Sequence, residues 1–246
     1  MRKILILTSV LRSQLESGLW NSLKNMYDDY FKDHRYDNIC FYGYCSMNDE
    51  ERYLSPHDTL GYIDVDNKLV LLPQGDDLFS SYDRSRATMR TLVQHLREAD
   101  YVLFTNCTTY INIPLLNDFV QALDEEDLKI YCGRVISSKY MSGPYQWCFY
   151  GEGSGILLRR PWITFILDNA WRKHIIENDH VNASKKWEFY KRNVTDTAIG
   201  CLVNDFLISD DTANCLSFLE IHEAVIRWES VDHTLYWQDW GQDKWD

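Results

Sequence analysis

The chain of 246 residues lacks long apolar runs, and its amino terminus lacks the features of an export signal. Its longest apolar stretches, such as Ile4 to Leu7 and Leu69 to Leu72, fall far short of the roughly 18 residues that a membrane-spanning helix needs. The first apolar run is also too short for a signal peptide, and no small-residue cleavage site follows it. These absences predict a protein without a membrane span, located in the cytoplasm of a bacterium or of a phage-infected host.

Paired cysteines and glycine-rich phosphate loops are absent too. The seven cysteines are an odd number without a Cys-x-x-Cys motif, at positions 40, 45, 107, 132, 148, 201 and 215. This spacing gives no support to a zinc knuckle or a redox pair and favours free thiols in a reducing compartment. Neither GxGxxG nor GxxxxGK[ST] occurs, which argues against a flavodoxin-like or other dinucleotide or phosphate-loop enzyme.

The charge of the chain is acidic, with 37 Asp and Glu against 25 Lys and Arg and a net charge of −12. This balance disfavours a whole-surface nucleic-acid binder, although it leaves room for a local basic patch. Because no repeat, low-complexity tract or Pro/Gly-rich linker divides the chain, residues 1–246 are predicted to form a single domain. The last ten residues, 237–246, hold three Trp and three Asp and are predicted to be a packed or flexible tail.

Short apolar segments alternate with amphipathic ones along the first half of the chain. Strands are predicted at 3–10, 38–44, 62–72 (two strands around Asp66 and Asn67), 101–104, 128–135, 147–158 and 224–228. Helices are predicted at 15–31, 83–99, 114–123, from Pro161 to about Ile176, and at 196–206. This alternation predicts an α/β fold, with a sheet of parallel strands covered by helices.

Polar side chains follow the predicted strands at three places: Thr8-Ser9, Thr105 to Thr109, and Gly151 to Gly155. Ligands of open α/β sheets bind beyond the carboxyl ends of the strands, so these are the candidate site segments. Each has a plainer interpretation as well. A Thr/Ser/Asn cluster after a strand is typical of a turn or helix cap, and a glycine-rich stretch is typical of a bulge.

Three motifs in order resemble a known family: Thr105-Asn106-Cys107-Thr108-Thr109-Tyr110-Ile111-Asn112-Ile113-Pro114, then Gly153-Ser154-Gly155-Ile156-Leu157-Leu158-Arg159-Arg160, then Asp196-Thr197-Ala198-Ile199-Gly200. They resemble the Fringe and β1,3-glycosyltransferase group, and most closely its bacterial and phage relatives that lack the Asp-x-Asp motif. The resemblance covers Arg90 to Gly200. It implies a GT-A-type, Rossmann-like fold with a mixed, mostly parallel sheet and helices on both faces. The implied activity is inverting sugar transfer from a nucleoside-diphosphate sugar, with a UDP-sugar favoured.

The resemblance also implies roles for individual residues. Asn106-Cys107-Thr108 falls where the family carries the Asp-x-Asp that holds Mn²⁺ and the donor diphosphate. Asp196 would be the general base, and His233 a candidate metal ligand. Asp196 could instead be a plain helix N-cap. The predicted donor-binding residues are Thr8, Ser9, Arg84, Arg90, Asn106, Thr108, Gly153, Ser154 and Gly155.

The Asp-x-Asp position of this chain has no carboxylate, although Mg²⁺ and Mn²⁺ prefer anionic oxygen ligands. Metal use is therefore left open: other groups hold the ion, or cationic side chains such as Arg84, Arg86, Arg90, Lys139 and His233 replace it. A solvated helix face is the plainer interpretation of the arginines. Asp76 and Asp77 could contact a ribose or base, but a solvated pair is the simpler interpretation.

Lys185 to Arg192 has four positive residues and one negative, interleaved with aromatic rings. Such a stretch suits an anionic acceptor, either a glycan or, in a phage setting, a hydroxymethylated DNA base. The predicted acceptor-binding residues are Glu152, Lys185, Lys186, Trp187 and Arg192. The leading hypothesis is thus a hexosyl- or pentosyltransferase. The alternative is a catalytically inactive GT-A-like protein that binds nucleotide sugars or glycans. The oligomeric state stays open.

Overall fold

The computed structural model describes residues 1–51, 60–76, 81–123, 129–138, 148–167, 181, 184–186, 198–202, 216–219 and 226–227. The strands are β1 (Ile4–Ser9), β2 (Ile39–Ser46), β3 (Tyr62–Asp64), β4 (Leu69–Leu72), β5 (Tyr101–Asn106), β6 (Tyr110–Ile111), β7 (Lys129–Ser138), β8 (Cys148–Arg159), β9 (Leu216–Leu219) and β10 (Ile226–Arg227). The helices are α1 (Arg12–Glu16), α2 (Leu19–Phe31), α3 (Ser81–Thr91), α4 (Val93–Glu98), α5 (Ile113–Ala122) and α6 (Arg160–Leu167), with a 3₁₀ turn at His34–Tyr36 and helical residues at 198–202.

Within these residues, eight strands form one sheet in the order β3-β4-β2-β1-β5-β8-β7-β9, and β6 pairs separately with β10. The strands β4, β2, β1 and β5 are parallel neighbours, and β7 is parallel to β9. The strand β3 is antiparallel to β4, and β8 is antiparallel to both β5 and β7. The sheet is therefore mixed and mostly parallel, as predicted, and its parallel part has the strand order of a Rossmann-like half.

Helices cover both faces of the sheet. Side chains along a strand alternate between the two faces, so each face of the buried strands presents apolar residues for helices to pack on. Leu5 and Leu7 of β1 pack with α3, α4, α6 and the helical residues 198–202, a side that we call the α3 face. Ile4 and Ile6 pack with α2 and α5 on the opposite side, the α2 face. The predicted α/β class with helices on both faces is confirmed. No helix of the described ranges is long and apolar enough to cross a membrane.

Two predicted helices are each broken into two. The segment predicted as one helix from 15 to 31 is divided at Gly18, which adopts a positive φ of 79°. Glycine reaches this left-handed region without strain, so the chain turns there between α1 and α2. The helix predicted over 83–99 is interrupted at Leu92, whose ψ is 24°. The short strands β6 and β9 were not predicted.

The glycine-rich segment of β8 forms a bulge. Between the paired residues Ile156–Gly133 and Gly151–Val135, β8 advances five residues while β7 advances two. Residues 152–155 therefore form the bulge, with four residues of β8 opposite the single residue Arg134 of β7, in line with the plainer interpretation of this glycine-rich segment. Since β8 is antiparallel to β5 and Ile156 pairs with Phe104, the bulge starts beside Thr105, at the carboxyl end of β5.

Candidate functional site

The carboxyl ends of β1 and β5 form the topological switch point of the parallel strands. The chain leaves β1 for β2 and β4 on one side, and returns to β5 on the other. Ser9 and Asn106 are paired residues in the register of these strands, and the Cys107 amide donates a hydrogen bond to the Ser9 carbonyl at 2.9 Å. Ligands of open α/β sheets bind at such a crevice. The structure thus brings together two residues that the sequence predicted for one site.

The Asn106 side chain organises the loop that follows β5. Its Oδ1 accepts hydrogen bonds from the Thr108 amide at 3.1 Å, the Thr108 hydroxyl at 2.7 Å and the Thr109 hydroxyl at 2.8 Å. The Thr109 amide donates to the Asn106 carbonyl at 3.1 Å. This is an Asx turn, so Asn106 and Thr108 hold the backbone of the loop in place. Their predicted contact with a donor remains a prediction.

Thr8 lies apart from this edge. Its side chain is fully buried, and its hydroxyl oxygen has no hydrogen-bond partner among the described residues. By strand alternation it points to the α2 face, whereas Ser9, half-buried, points to the α3 face. The structure therefore places Thr8 in the core and Ser9 at the carboxyl edge.

A second polar group lies at the same edge, where β1, β2 and β4 end; we call Asp76, Arg84 and Ser46 the Asp76 cluster. Arg84 of α3 is 2% exposed, and its Nη1 forms an ion pair with Asp76 Oδ1. Ser46, at the end of β2, donates to the same oxygen at 3.4 Å. The Arg12 amide, just after β1, donates to Asp76 Oδ2 at 2.7 Å. The predicted donor residue Arg84 is thus held by Asp76, a carboxylate whose simpler interpretation from the sequence was a solvated one.

Arg12 holds the neighbouring loop through its side chain. Its guanidinium forms two hydrogen bonds with Glu51, at 2.7 and 3.2 Å, and another with Glu16 at 3.2 Å. The hydrogen bond to Glu51 raises the pKa of Arg12 above its ordinary value. Glu51 also accepts from the Asn48 amide at 3.0 Å, so this ion pair closes the turn after β2. No sequence motif indicated Arg12 or Glu51.

Arg90 lies farther from the edge than Arg84. Helix α3 starts after β4 at the carboxyl edge, and six residues of helix cover about 9 Å. Burial lowers the pKa of Arg90, and the charge of Arg86 lowers it further. Arg86 itself is buried, lies 5.8 Å above the Tyr82 ring and is 3.9 Å from Asp83. The described contacts do not bring Arg90 to Ser9 and Asn106.

The remaining predicted site residues are placed only in part. Glu152, Gly153, Ser154 and Gly155 lie in the β8 bulge beside the end of β5. Lys185 is exposed and Lys186 half-buried, in the short helical segment 184–186. Four predicted residues lie outside the described residues, as does the tail 237–246: Trp187, Arg192, Asp196 and His233.

The described residues near Asn106 do not fit a divalent cation. Asn106 Oδ1 already accepts three hydrogen bonds, and Cys107 and Thr108 supply no carboxylate. Across the described ranges, no group of three His, Cys, Asp or Glu side chains could hold a metal ion. Burial raises the pKa of the Cys107 thiol to about 12, so it is protonated at neutral pH and is a poor ligand.

No protein-family model and no curated protein matches this chain. Similar solved structures include a glycosyltransferase involved in the glycosylation of the major capsid of PBCV-1, with 12% identity, a TM-score of 0.39 and 76% of each chain covered. Another is the glycosyltransferase GlyE of Streptococcus pneumoniae TIGR4, with 12% identity and a TM-score of 0.38 over 91% of this chain and 46% of that one. A third is 4-diphosphocytidyl-2C-methyl-D-erythritol synthase from Anaerococcus prevotii, with 8% identity and a TM-score of 0.42. The match covers 97% of this chain and 96% of that one. Likenesses of this size assign no role to any residue of this chain.

Proposed function

We propose that this chain is a nucleotide-sugar-dependent glycosyltransferase. The observation that carries the proposal is the meeting of three separate sequence segments at one edge of the sheet. Ser9 ends β1, Asn106 ends the neighbouring β5, and the β8 bulge starts beside Thr105. Two of these segments are the motifs that resemble glycosyltransferases, and they lie at the switch point where an open α/β sheet binds its ligand.

The donor in this proposal is a nucleoside-diphosphate sugar, with UDP as the favoured nucleotide. Its diphosphate lies over the turn from Asn106 to Thr109, and its sugar lies against the β8 bulge. Glycines in that bulge allow a close approach to the backbone. Because the residues near Asn106 do not fit a metal ion, no step of the proposed reaction is assigned to one.

The reaction is an inverting displacement at the anomeric carbon. The acceptor hydroxyl oxygen bonds to this carbon, the bond from the carbon to the diphosphate oxygen breaks, and the nucleoside diphosphate leaves. Asp196, which heads the third motif of the resemblance, takes the proton of the hydroxyl. The acceptor is a glycan or a hydroxymethylated DNA base, bound by residues that include Glu152, Lys185, Lys186, Trp187 and Arg192.

Thermal shift with UDP, CDP, ADP, GDP and their sugars, with and without Mn²⁺, tests the donor half of this proposal. A ligand that binds only the folded state raises the melting temperature. We expect one nucleotide to raise the melting temperature, both as the free nucleoside diphosphate and as its sugar derivative. Radiolabelled sugar transfer onto oligosaccharides and onto hydroxymethylated DNA then tests the acceptor. No shift with any nucleotide would contradict the proposal.

A binding protein without turnover is the second candidate. It is favoured by Asn106, which stands where the resembled family has a carboxylate and whose side-chain oxygen is occupied by the loop. This candidate expects a nucleotide sugar to bind and to stay intact. If the protein slowly releases free nucleoside diphosphate from a nucleotide sugar in the absence of an acceptor, it is an enzyme and this second candidate is wrong.

A further inference from the structure

Helix α2 holds the segment that continues the turn of the proposed donor site. This turn covers residues 106–109, and the short strand β6, Tyr110–Ile111, follows it directly. Tyr27 of α2 is fully buried, and its hydroxyl oxygen accepts a hydrogen bond from the Ile111 amide at 2.7 Å. A side chain of α2 therefore bonds to the main chain two residues beyond the turn.

The bond to Tyr27 satisfies a main-chain group that sheet pairing does not. Among the described residues, β6 pairs with one strand, β10, and only over two residues. The Ile111 amide donates to Tyr27, and both residues are 0% exposed. A buried amide without an acceptor is costly, so the position of the Tyr27 hydroxyl determines where β6 lies.

Tyr27 is itself held firmly in place. Its ring meets the ring of Phe41 in β2 edge-on, with 5.0 Å between centroids and an interplanar angle of 83°. Burial raises the pKa of Tyr27, so its hydroxyl is neutral at pH 7. A rigid, neutral side chain that is supported by the sheet can hold a main-chain segment at one position.

A shift of β6 would reach the turn through a single residue. Only Tyr110 separates Ile111 from Thr109, whose amide donates to the Asn106 carbonyl at 3.1 Å. The Thr109 hydroxyl donates to Asn106 Oδ1 at 2.8 Å, and Thr109 is 1% exposed. Because Thr109 is packed and bonded in this way, movement of β6 changes the shape of the turn.

We propose that Tyr27 is a positioning residue of the donor site. By holding the Ile111 amide, it keeps the turn of residues 106–109 in the conformation that binds a nucleoside diphosphate. This inference rests on the proposed glycosyltransferase function and adds a residue that does not itself contact the donor. When a binding conformation is only partly populated, the apparent affinity falls in proportion to its population.

Tyr27→Phe tests the inference, because it removes the hydroxyl and keeps the ring contact with Phe41. Calorimetric titration with UDP, CDP, ADP and GDP identifies the nucleotide that binds the wild type most tightly. We expect the variant to bind this nucleotide about threefold to tenfold more weakly, since one hydrogen bond of the turn's support is lost. In the absence of nucleotide, hydrogen exchange of the Thr108 and Thr109 amides should be faster in the variant.

The affinity separates positioning from a purely structural role. Titration reports on folded protein, so a lower free energy of unfolding does not change the affinity while the variant stays folded. Measurements at about 15 °C, near the temperature of maximum stability of most proteins, keep the variants folded. The free energy of unfolding of each variant is measured in parallel by urea denaturation.

Two tyrosines provide matched controls. The Tyr42 hydroxyl lies 3.2 Å from His95 Nε2, and the Tyr42 ring meets the His95 ring edge-on at 5.1 Å, on the α3 face. Tyr42→Phe should lower stability without changing nucleotide affinity. The Tyr30 hydroxyl lies 3.2 Å from the Tyr110 hydroxyl and contacts β6 through this side chain. Tyr30→Phe leaves the Ile111 amide bonded, so its affinity should stay within about twofold of the wild type.

Two results would overturn the inference and leave the proposed function standing. One is a Tyr27→Phe variant that binds the nucleotide as tightly as the wild type does. The other is a loss of affinity in Tyr42→Phe or Tyr30→Phe as large as that in Tyr27→Phe. If none of the nucleotides binds the wild type, the proposed function is wrong and the inference falls with it.

Discussion

Asn106 shows how one side chain can hold a loop at a candidate site. Its Oδ1 accepts three hydrogen bonds, one of them from Thr109, whose side chain is buried. Asn106→Ala leaves these donors without their acceptor, and an unsatisfied buried donor costs about 1–3 kcal/mol. We expect the free energy of unfolding to fall by that amount, as measured by urea denaturation.

Thr108→Ala provides the comparison for this prediction. It removes one hydroxyl and leaves Asn106 bonded to the Thr108 amide and to Thr109, so a loss of about 1 kcal/mol or less is expected. Equal stability of Asn106→Ala and the wild type would show that the turn does not depend on this oxygen. The two variants thus separate the contribution of the Asn106 oxygen from that of a single hydroxyl in the loop.

Asp196 carries the catalytic prediction at the residue scale. A carboxylate that removes the proton of an acceptor hydroxyl contributes about 10²–10⁴-fold in rate. Asp196→Asn keeps the size and helix-capping ability of the residue but is no base at neutral pH. We expect turnover to fall by about two orders of magnitude, with a near-normal melting temperature and near-normal donor affinity. If the variant keeps most of its turnover, Asp196 is a helix cap and not the general base, and Glu152 becomes the next candidate for that role.

At the scale of elements, α2 and β2 fit together because β2 has a glycine beneath a tryptophan. A Cβ atom at Gly43 would lie 2.7 Å from the Trp20 ring, which is fully buried and stacks on Phe41 at 5.0 Å between centroids. Gly43→Ala therefore pushes α2 away from the sheet. The expected loss is about 1–3 kcal/mol in the free energy of unfolding, by urea denaturation.

A double-mutant cycle with Trp20→Phe tests whether the ring causes this loss. The smaller ring relieves the clash, so Gly43→Ala should be less destabilising in the Trp20→Phe background than in the wild type. Coupling of about 0.5 kcal/mol or more is expected for residues in such contact. Purely additive losses would place the strain in the backbone of β2 instead.

Most elements of the first half were predictable because their signals are local. The apolar runs of β1, β2 and β5 and the amphipathic α5 lie within a residue or two of the predicted bounds. The missed strands are short: β6 has two residues and β9 has four. Their pairing depends on distant partners, β10 and β7, and such partners leave no periodicity in the sequence.

The candidate site was predictable where it follows from sheet geometry. Ser9 and Asn106 meet because adjacent parallel strands end at one edge. The Asp76 cluster was not predictable in this way, because it joins a loop residue, a helix residue and the end of another strand. Its ion pair joins two residues eight positions apart, one after β4 and one in α3, and no spacing rule marks such a pair. Solvation was therefore the default interpretation of Asp76.

For the whole molecule, buried thiols and phenols make the free energy of unfolding depend on pH in the alkaline range. Burial raises the pKa of Cys45 to about 12, with a further rise from the charge of Asp76, and raises that of Cys107 to about 12. Burial also raises the pKa values of Tyr27 and Tyr82. Each of these groups is neutral in its protonated form, and the folded state favours that form.

The sign of the pH dependence follows from these shifts. The folded-state pKa of each thiol lies above its ordinary value of 9.0, so its contribution to stability is complete below about pH 9 and is lost as the pH rises toward 12. We expect the urea midpoint to be constant from pH 7 to 9 and then to fall. The double variant Cys45→Ala and Cys107→Ala should fall less steeply, and the buried phenols together with Cys40, whose pKa burial also raises, contribute to the slope that remains. An unchanged slope in that variant would mean that the two thiols ionise equally well in the folded and unfolded chains.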